Sequence, residues 1–122
     1  MIIQRFEDIV AWQKARELVD KVYKLTSEDK SNRDFVVKDQ IRRAAISVMS
    51  NIAEGYARQT NREFIQFLYI ARGSASETKS QLYVALDLGY ISKQEFEKIF
   101  ETISEVAKLI TGFIKYLQTH NK

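Results

Sequence analysis

Two carboxylates, Glu54 and Glu77, stand among small and apolar residues, and they are the first candidates for chemistry in this sequence. A pair of buried carboxylates could act as acid and base or hold metal ions. A di-metal carboxylate bundle needs Glu-x-x-His motifs, and none occurs. The only histidine is His120, close to the end of the sequence, and there is no cysteine, which excludes disulfides, thiol nucleophiles and thiolate metal sites. No Gly-x-x-x-x-Gly-Lys phosphate loop or Gly-x-Ser-x-Gly elbow is present. The expectation is a protein without catalytic residues, metal or cofactor, in which Glu54 pairs with an arginine and Glu77 requires a charged or hydrogen-bonded partner.

The cations offer a different chemistry. Lys38, Arg42, Arg43, Arg58 and Arg62 are expected to cluster around the second helix and the turn after it, where they could meet phosphates. Tyr69, Arg72, Ser76, Lys79 and Tyr83 recur at helical spacing on one flank of the third helix. Cations interleaved with aromatics in this way can grip a nucleic-acid backbone and stack a base. A net charge of +3 and a pI near 9.1 are only mildly basic. An ordinary solvated face, with local pairs such as Asp39 with Arg43 or Arg62 with Gln66, accounts for the same residues equally well.

The elements that must position these groups are helices, four by the period of the apolar residues. The first runs from about Glu7 to Thr26 and ends in the polar run SEDKSNRD. The second begins near Asp34 and reaches Gly55 or a few residues beyond. The third follows Thr60, an N-cap with Glu63 as its capping box, and ends at Leu88 before the C′ glycine Gly89. The fourth starts at Ser92, again with a capping box. The expected fold is an all-α, antiparallel up-down four-helix bundle with long helices, as one domain over residues 1–122. With 45% apolar residues and no proline, the composition supports a core of that kind.

Two stretches, SVMSNIAEGYAR (Ser47 to Arg58) and IARGSASE (Ile70 to Glu77), concentrate Gly, Ser, Asn and Glu where surface helices usually carry Lys. Such residues favour close helix contact over helix propensity, so Gly73 is expected to serve as a packing glycine. Apolar residues also exceed what one core needs. On the second helix they wrap about 200° at ~100° per residue. On the third, Ile70, Gly73, Val84 and Leu88 form a face opposite Phe64, Leu68, Ala75 and Leu82. Ile46, Met49, Tyr56, Ile70, Val84 and Leu88 are therefore candidates for a subunit interface of a ring or dimer. The alternative is that these positions contact the other helices of the same bundle. No run of 18 apolar residues and no signal peptide is recognisable, which points to a cytoplasmic protein without membrane contact.

The blocks NIAEGYAR at 51 to 58 and EFIQFLYIARGSASETKSQLYVALDLGYIS at 63 to 92, preceded by FEDIVAWQKARELVDKVYKLT, resemble the bacterial four-helix-bundle proteins of the 23S rRNA intervening-sequence family. The resemblance makes Asn51, Glu54, Gly55, Gly73, Ser74 and Glu77 family motif positions. It also implies a homo-oligomer, with a pentameric ring favoured. A related branch serves diversity-generating retroelements, so the resemblance further implies RNA or DNA, or a reverse transcriptase or other protein, as partner. A protein scaffold indifferent to nucleic acid is the other class of function.

Overall fold

The computed structural model describes residues 3–28 and 33–120. They form a short 3-10 helix, Phe6–Asp8, and four α-helices: α1 (Val10–Thr26), α2 (Phe35–Tyr56), α3 (Asn61–Asp87) and α4 (Lys93–Thr119). No strand occurs among the described residues. The helices pack in cyclic order, α1 on α2, α2 on α3, α3 on α4 and α4 on α1, with the most extensive contact between α2 and α3. Leu18, Val22, Ile41, Val48, Ile52, Leu68, Leu82, Ile103, Val106 and Ile110 fill the shared core, each with less than 2% of its surface exposed.

Local chemistry sets the helix ends. The Asp34 carboxylate caps α2 by accepting from the Val37 N–H, and the Thr60 hydroxyl caps α3 by accepting from the Glu63 N–H. At Thr60 the expected capping box is only half made: the Glu63 carboxylate accepts from the Thr60 hydroxyl instead of from the cap N–H. At Ser92 both halves are present. α3 stops in a Schellman turn, with Tyr90 N–H donating to Ala85 C=O, Gly89 N–H donating to Leu86 C=O, and Gly89 at a φ of +76°. The first helix starts later than the sequence suggests. Ile9 is extended and buried, and its insertion into the core separates the 3-10 turn from α1.

The polar run after α1 includes residues 29–32, which lie outside the described residues. Just beyond it, the Tyr90 hydroxyl donates to Asp34 at 2.7 Å and ties the start of α2 to the turn between α3 and α4.

The close approach expected at Gly73 occurs at Gly55 instead. A methyl group on Gly55 would sit 2.7 Å from Phe67 Cβ and 2.8 Å from Phe64 Cδ1, whereas one on Gly73 would meet nothing within 4 Å. The surplus of apolar residues on α2 is largely absorbed within the chain. Met49 and Tyr56, expected at a subunit interface, pack against the core, and Tyr56 meets Phe64 edge-on at 6.1 Å. α2 has neighbours on both flanks, and a wide apolar arc is what two flanks require.

Two predictions follow from this packing. Gly55→Ala should destabilise the fold by about 1–3 kcal/mol through overpacking, while Gly73→Ala should stabilise it by about 0.5–1 kcal/mol through helix propensity; urea denaturation of the two variants tests the contrast. The Tyr90 hydroxyl and the Val37 N–H hold the Asp34 carboxyl below its ordinary value. A lowered folded pKa gives stability that is full above the unfolded carboxylate value of about 3.9 and is lost as pH falls through the folded value. Tyr90→Phe should therefore lower the urea midpoint at neutral pH, and the difference from wild type should shrink in that acid window.

Candidate nucleic-acid interface

Helix α3 presents three faces. At ~100° per residue, Ile70 and Leu88 point the same way, with Gly73, Glu77 and Val84 within about 60° of them. Ile70, Val84 and Leu88 keep 44–54% of their surface exposed. Glu77 is exposed beside them, and it has no partner among the described residues. Ile46, the remaining interface candidate on α2, is exposed as well. Between this face and the core runs a polar seam that joins α3 to α2. Ser47 and Ser74 share a hydrogen bond of 2.9 Å, Asn51 Nδ2 donates to Ser47 C=O and Oγ, and Gln81 Nε2 donates to Gln40. Asn51 and Ser74 thus have structural work within the chain.

The same pairing fixes the antiparallel register and separates the two carboxylates. Phe67 lies opposite Gly55, next to Glu54, which leaves Glu77 ten residues further along α3, about 15 Å away at ~1.5 Å per residue. Glu54 instead meets Arg58 at 3.4 Å, both side chains being substantially exposed. Among the described residues no group of three or more His, Cys, Asp or Glu could hold a metal ion. His120, at the end of α4, stacks on Tyr116 at 4.0 Å.

The cations expected to cluster around α2 are spread out. Twenty residues of nearly continuous helix separate Lys38 from Arg58, about 30 Å, and all of these cations but Arg62 have a local tie of their own. Arg42 caps α1: its guanidinium donates to Thr26 Oγ1 at 2.8 Å, Ser27 Oγ at 3.1 Å and Tyr23 C=O at 3.4 Å, and it covers the Tyr23 ring at 4.2 Å. The Tyr23 carbonyl lies in the last turn of a helix, where a cation is favoured. Arg43 pairs with Asp39 at 2.8 Å, Lys38 lies over the Phe35 ring, and Arg58 lies over the Phe67 ring. Arg62 is exposed and unpaired among the described residues.

On the third face the expected strip is brought together. Arg72 lies over the Tyr69 ring at 4.9 Å and donates to Thr111 Oγ1 at 3.2 Å. Lys79 lies over the Phe100 ring at 4.8 Å, and Tyr83 packs against both Phe96 and Phe100. The contribution of α4 is what sequence reasoning missed. Phe96 belongs to the core stripe, and Phe100 flanks it closely enough to serve as the ring beneath Lys79. Lys108 and Lys115, three residues before and four after Thr111, share its side of α4 and are exposed. One end of the strip is therefore basic, while Glu97 and Glu101 on α4 make the other end, near Tyr83, less so.

Arg42→Ala should lower stability by about 1 kcal/mol through loss of the cap and its hydrogen bonds, measured by urea denaturation. The affinity of the chain for any polyanion should stay as it was.

Comparison with known proteins agrees with this architecture. The model of the 23S rRNA-intervening sequence protein family matches residues 7–112. A crystal structure of a protein of unknown function from the S23 ribosomal protein family of Bacteroides thetaiotaomicron is similar, with a TM-score of 0.79 and 30% identity over 87% of this chain and 99% of its own. No curated protein matches.

Proposed function

The chain belongs to the family of 23S rRNA-intervening sequence proteins, and on that premise we propose that it is a non-catalytic accessory protein that assembles with itself and binds RNA or DNA. One observation carries the reading. α3 turns two different surfaces outward, an apolar one at Ile70, Val84 and Leu88 and a cation-aromatic one at Tyr69, Arg72, Lys79 and Tyr83, the latter about 100–180° around the helix from Ile70 and Leu88 and about 60° from Val84 at its nearest. A chain that used only one partner would need only one of them. In this reading the apolar face of α3 meets another subunit, the exposed Ile46 on α2 offers it a further apolar contact, and the unpaired Glu77 finds its partner there. The resemblance to ring-forming relatives favours a pentamer. Repetition of a weak basic strip around a ring raises the avidity of each strip without new contacts.

The same reading makes the protein an intracellular one, in company with its nucleic acid. No helix among the described residues is long and apolar enough to cross a membrane. A second reading, a protein-docking scaffold, is favoured by Phe35 and Val36, which are more than two-thirds exposed at the start of α2.

Light scattering coupled to size-exclusion chromatography, followed on the same peak by titration with structured RNA and with duplex DNA, tests the reading. The expected outcome is an assembly larger than a dimer whose nucleic-acid affinity falls steeply between about 50 and 200 mM salt. Ile70→Glu should reduce the assembly to monomers that retain their helical circular dichroism. A monomeric wild type removes the assembly, and an oligomer indifferent to both nucleic acids leaves the scaffold.

A further inference from the structure

A duplex and a single strand ask different things of a protein surface. A duplex presents phosphates and groove edges, and rewards a line of cations that reach them freely. A single strand presents the faces of its bases as well, and rewards flat rings set beside a few cations. The strip on α3 and α4 meets the second requirement better than the first. Tyr69 and Tyr83 remain 44% and 49% exposed on the surface of a helix. Neither hydroxyl donates to a protein group among the described residues, so neither ring is fixed there by a polar bond of its own. They stand fourteen residues apart, about 21 Å along the axis. Arg72 and Lys79 between them are drawn down over the rings of Tyr69 and Phe100, which keeps both cations close to the surface.

The Arg72 guanidinium, held over the Tyr69 ring, adds a second planar group at that end, and unpaired bases stack on arginine planes as they do on aromatic rings. At the same end, Lys108 and Lys115 on α4 are exposed within reach of a backbone that passes Arg72. Rings along the strip with phosphate-binding cations along one edge form the arrangement that holds an unpaired strand. The mild net charge of +3 fits this as well, since stacking supplies affinity that a duplex binder would have to draw from charge.

We propose that the strip formed by Tyr69, Arg72, Lys79 and Tyr83 binds an unpaired, single-stranded segment of nucleic acid, its bases on the rings and its phosphates on Arg72, Lys108 and Lys115. This rests on the nucleic-acid reading given above and specifies the form of nucleic acid. Sequence preference is expected to be slight, because every base has a face to stack and no side chain of the strip forms a fixed donor-acceptor pair for base edges.

The test is fluorescence anisotropy with a labelled oligouridine of about 12 nucleotides, within the span of known single-strand sites, and with an RNA duplex of the same length. Wild type, Tyr69→Ala, Tyr69→Phe and Lys108→Ala are compared at fixed salt, with circular dichroism to confirm that each is folded. The single strand should bind more tightly than the duplex. Tyr69→Ala should weaken single-strand binding by about 5- to 150-fold, the range for loss of one stacked base, and Tyr69→Phe should restore it, since the ring and not the hydroxyl is used. Lys108→Ala should flatten the salt dependence and leave the preference for single strand in place. Duplex binding equal to or tighter than single-strand binding, or Tyr69→Ala without effect, overturns this inference while the broader nucleic-acid reading stands. Binding of neither RNA overturns both.

Discussion

The contact of α2 with α3 at Gly55 is the constraint on which the rest of the molecule depends. With no side chain on Gly55, the Phe64 ring and the Phe67 Cβ can lie against the α2 backbone, and the two helices approach closely there. Once they are that close, Ser47 and Ser74 come within hydrogen-bonding distance, and Gln40 and Gln81 pair further up the same seam. Both pairs belong to one antiparallel register. That register decides which residues of α3 face inward, and so which are left to face outward.

The outward surfaces of α3 are consequences of this placement. Its 27 residues span about 40 Å at ~1.5 Å per residue. Its neighbours cover the side that carries Phe64, Leu68, Leu82 and Ala85, and the remaining circumference divides between an apolar face and a cation-aromatic face. Gly73 lies on the apolar face, in open space, so its small size leaves the outer surface of α3 flat and relieves no crowding inside the chain. The composition that suggests an internal packing glycine is the same in either case, and only the position of the neighbouring backbone tells them apart.

The four helices, their caps and the Gly89 terminator are legible in the sequence because they depend on residues close together in the chain. Ser92 with Glu95 and Thr60 with Glu63 are separated by three positions, and the apolar stripe of α4 is a local period. The fate of the cations is less legible, because it depends on which ring or carbonyl a long side chain finds across a helix boundary. Arg42 reads as a phosphate ligand until the C-terminal turn of α1 is beside it. Met49 and Tyr56 read as surplus until both flanks of α2 are occupied. The aromatic strip falls between the two cases: its α3 members are visible as a helical spacing, while Phe100 and Thr111 become members only when α4 is laid alongside.

Among the described residues six cations lie over aromatic rings of their own chain: Arg16 on Trp12, Lys38 on Phe35, Arg42 on Tyr23, Arg58 on Phe67, Arg72 on Tyr69 and Lys79 on Phe100. A lysine or arginine immobilised from free solution gives up about 1.5–2 kcal/mol of rotamer entropy. Over a ring, part of that freedom is already gone before any partner arrives. Charge on this surface is consequently a fixed pattern with heights and spacings set by the fold, and a partner that matches the pattern meets a smaller ordering cost than the number of long side chains suggests.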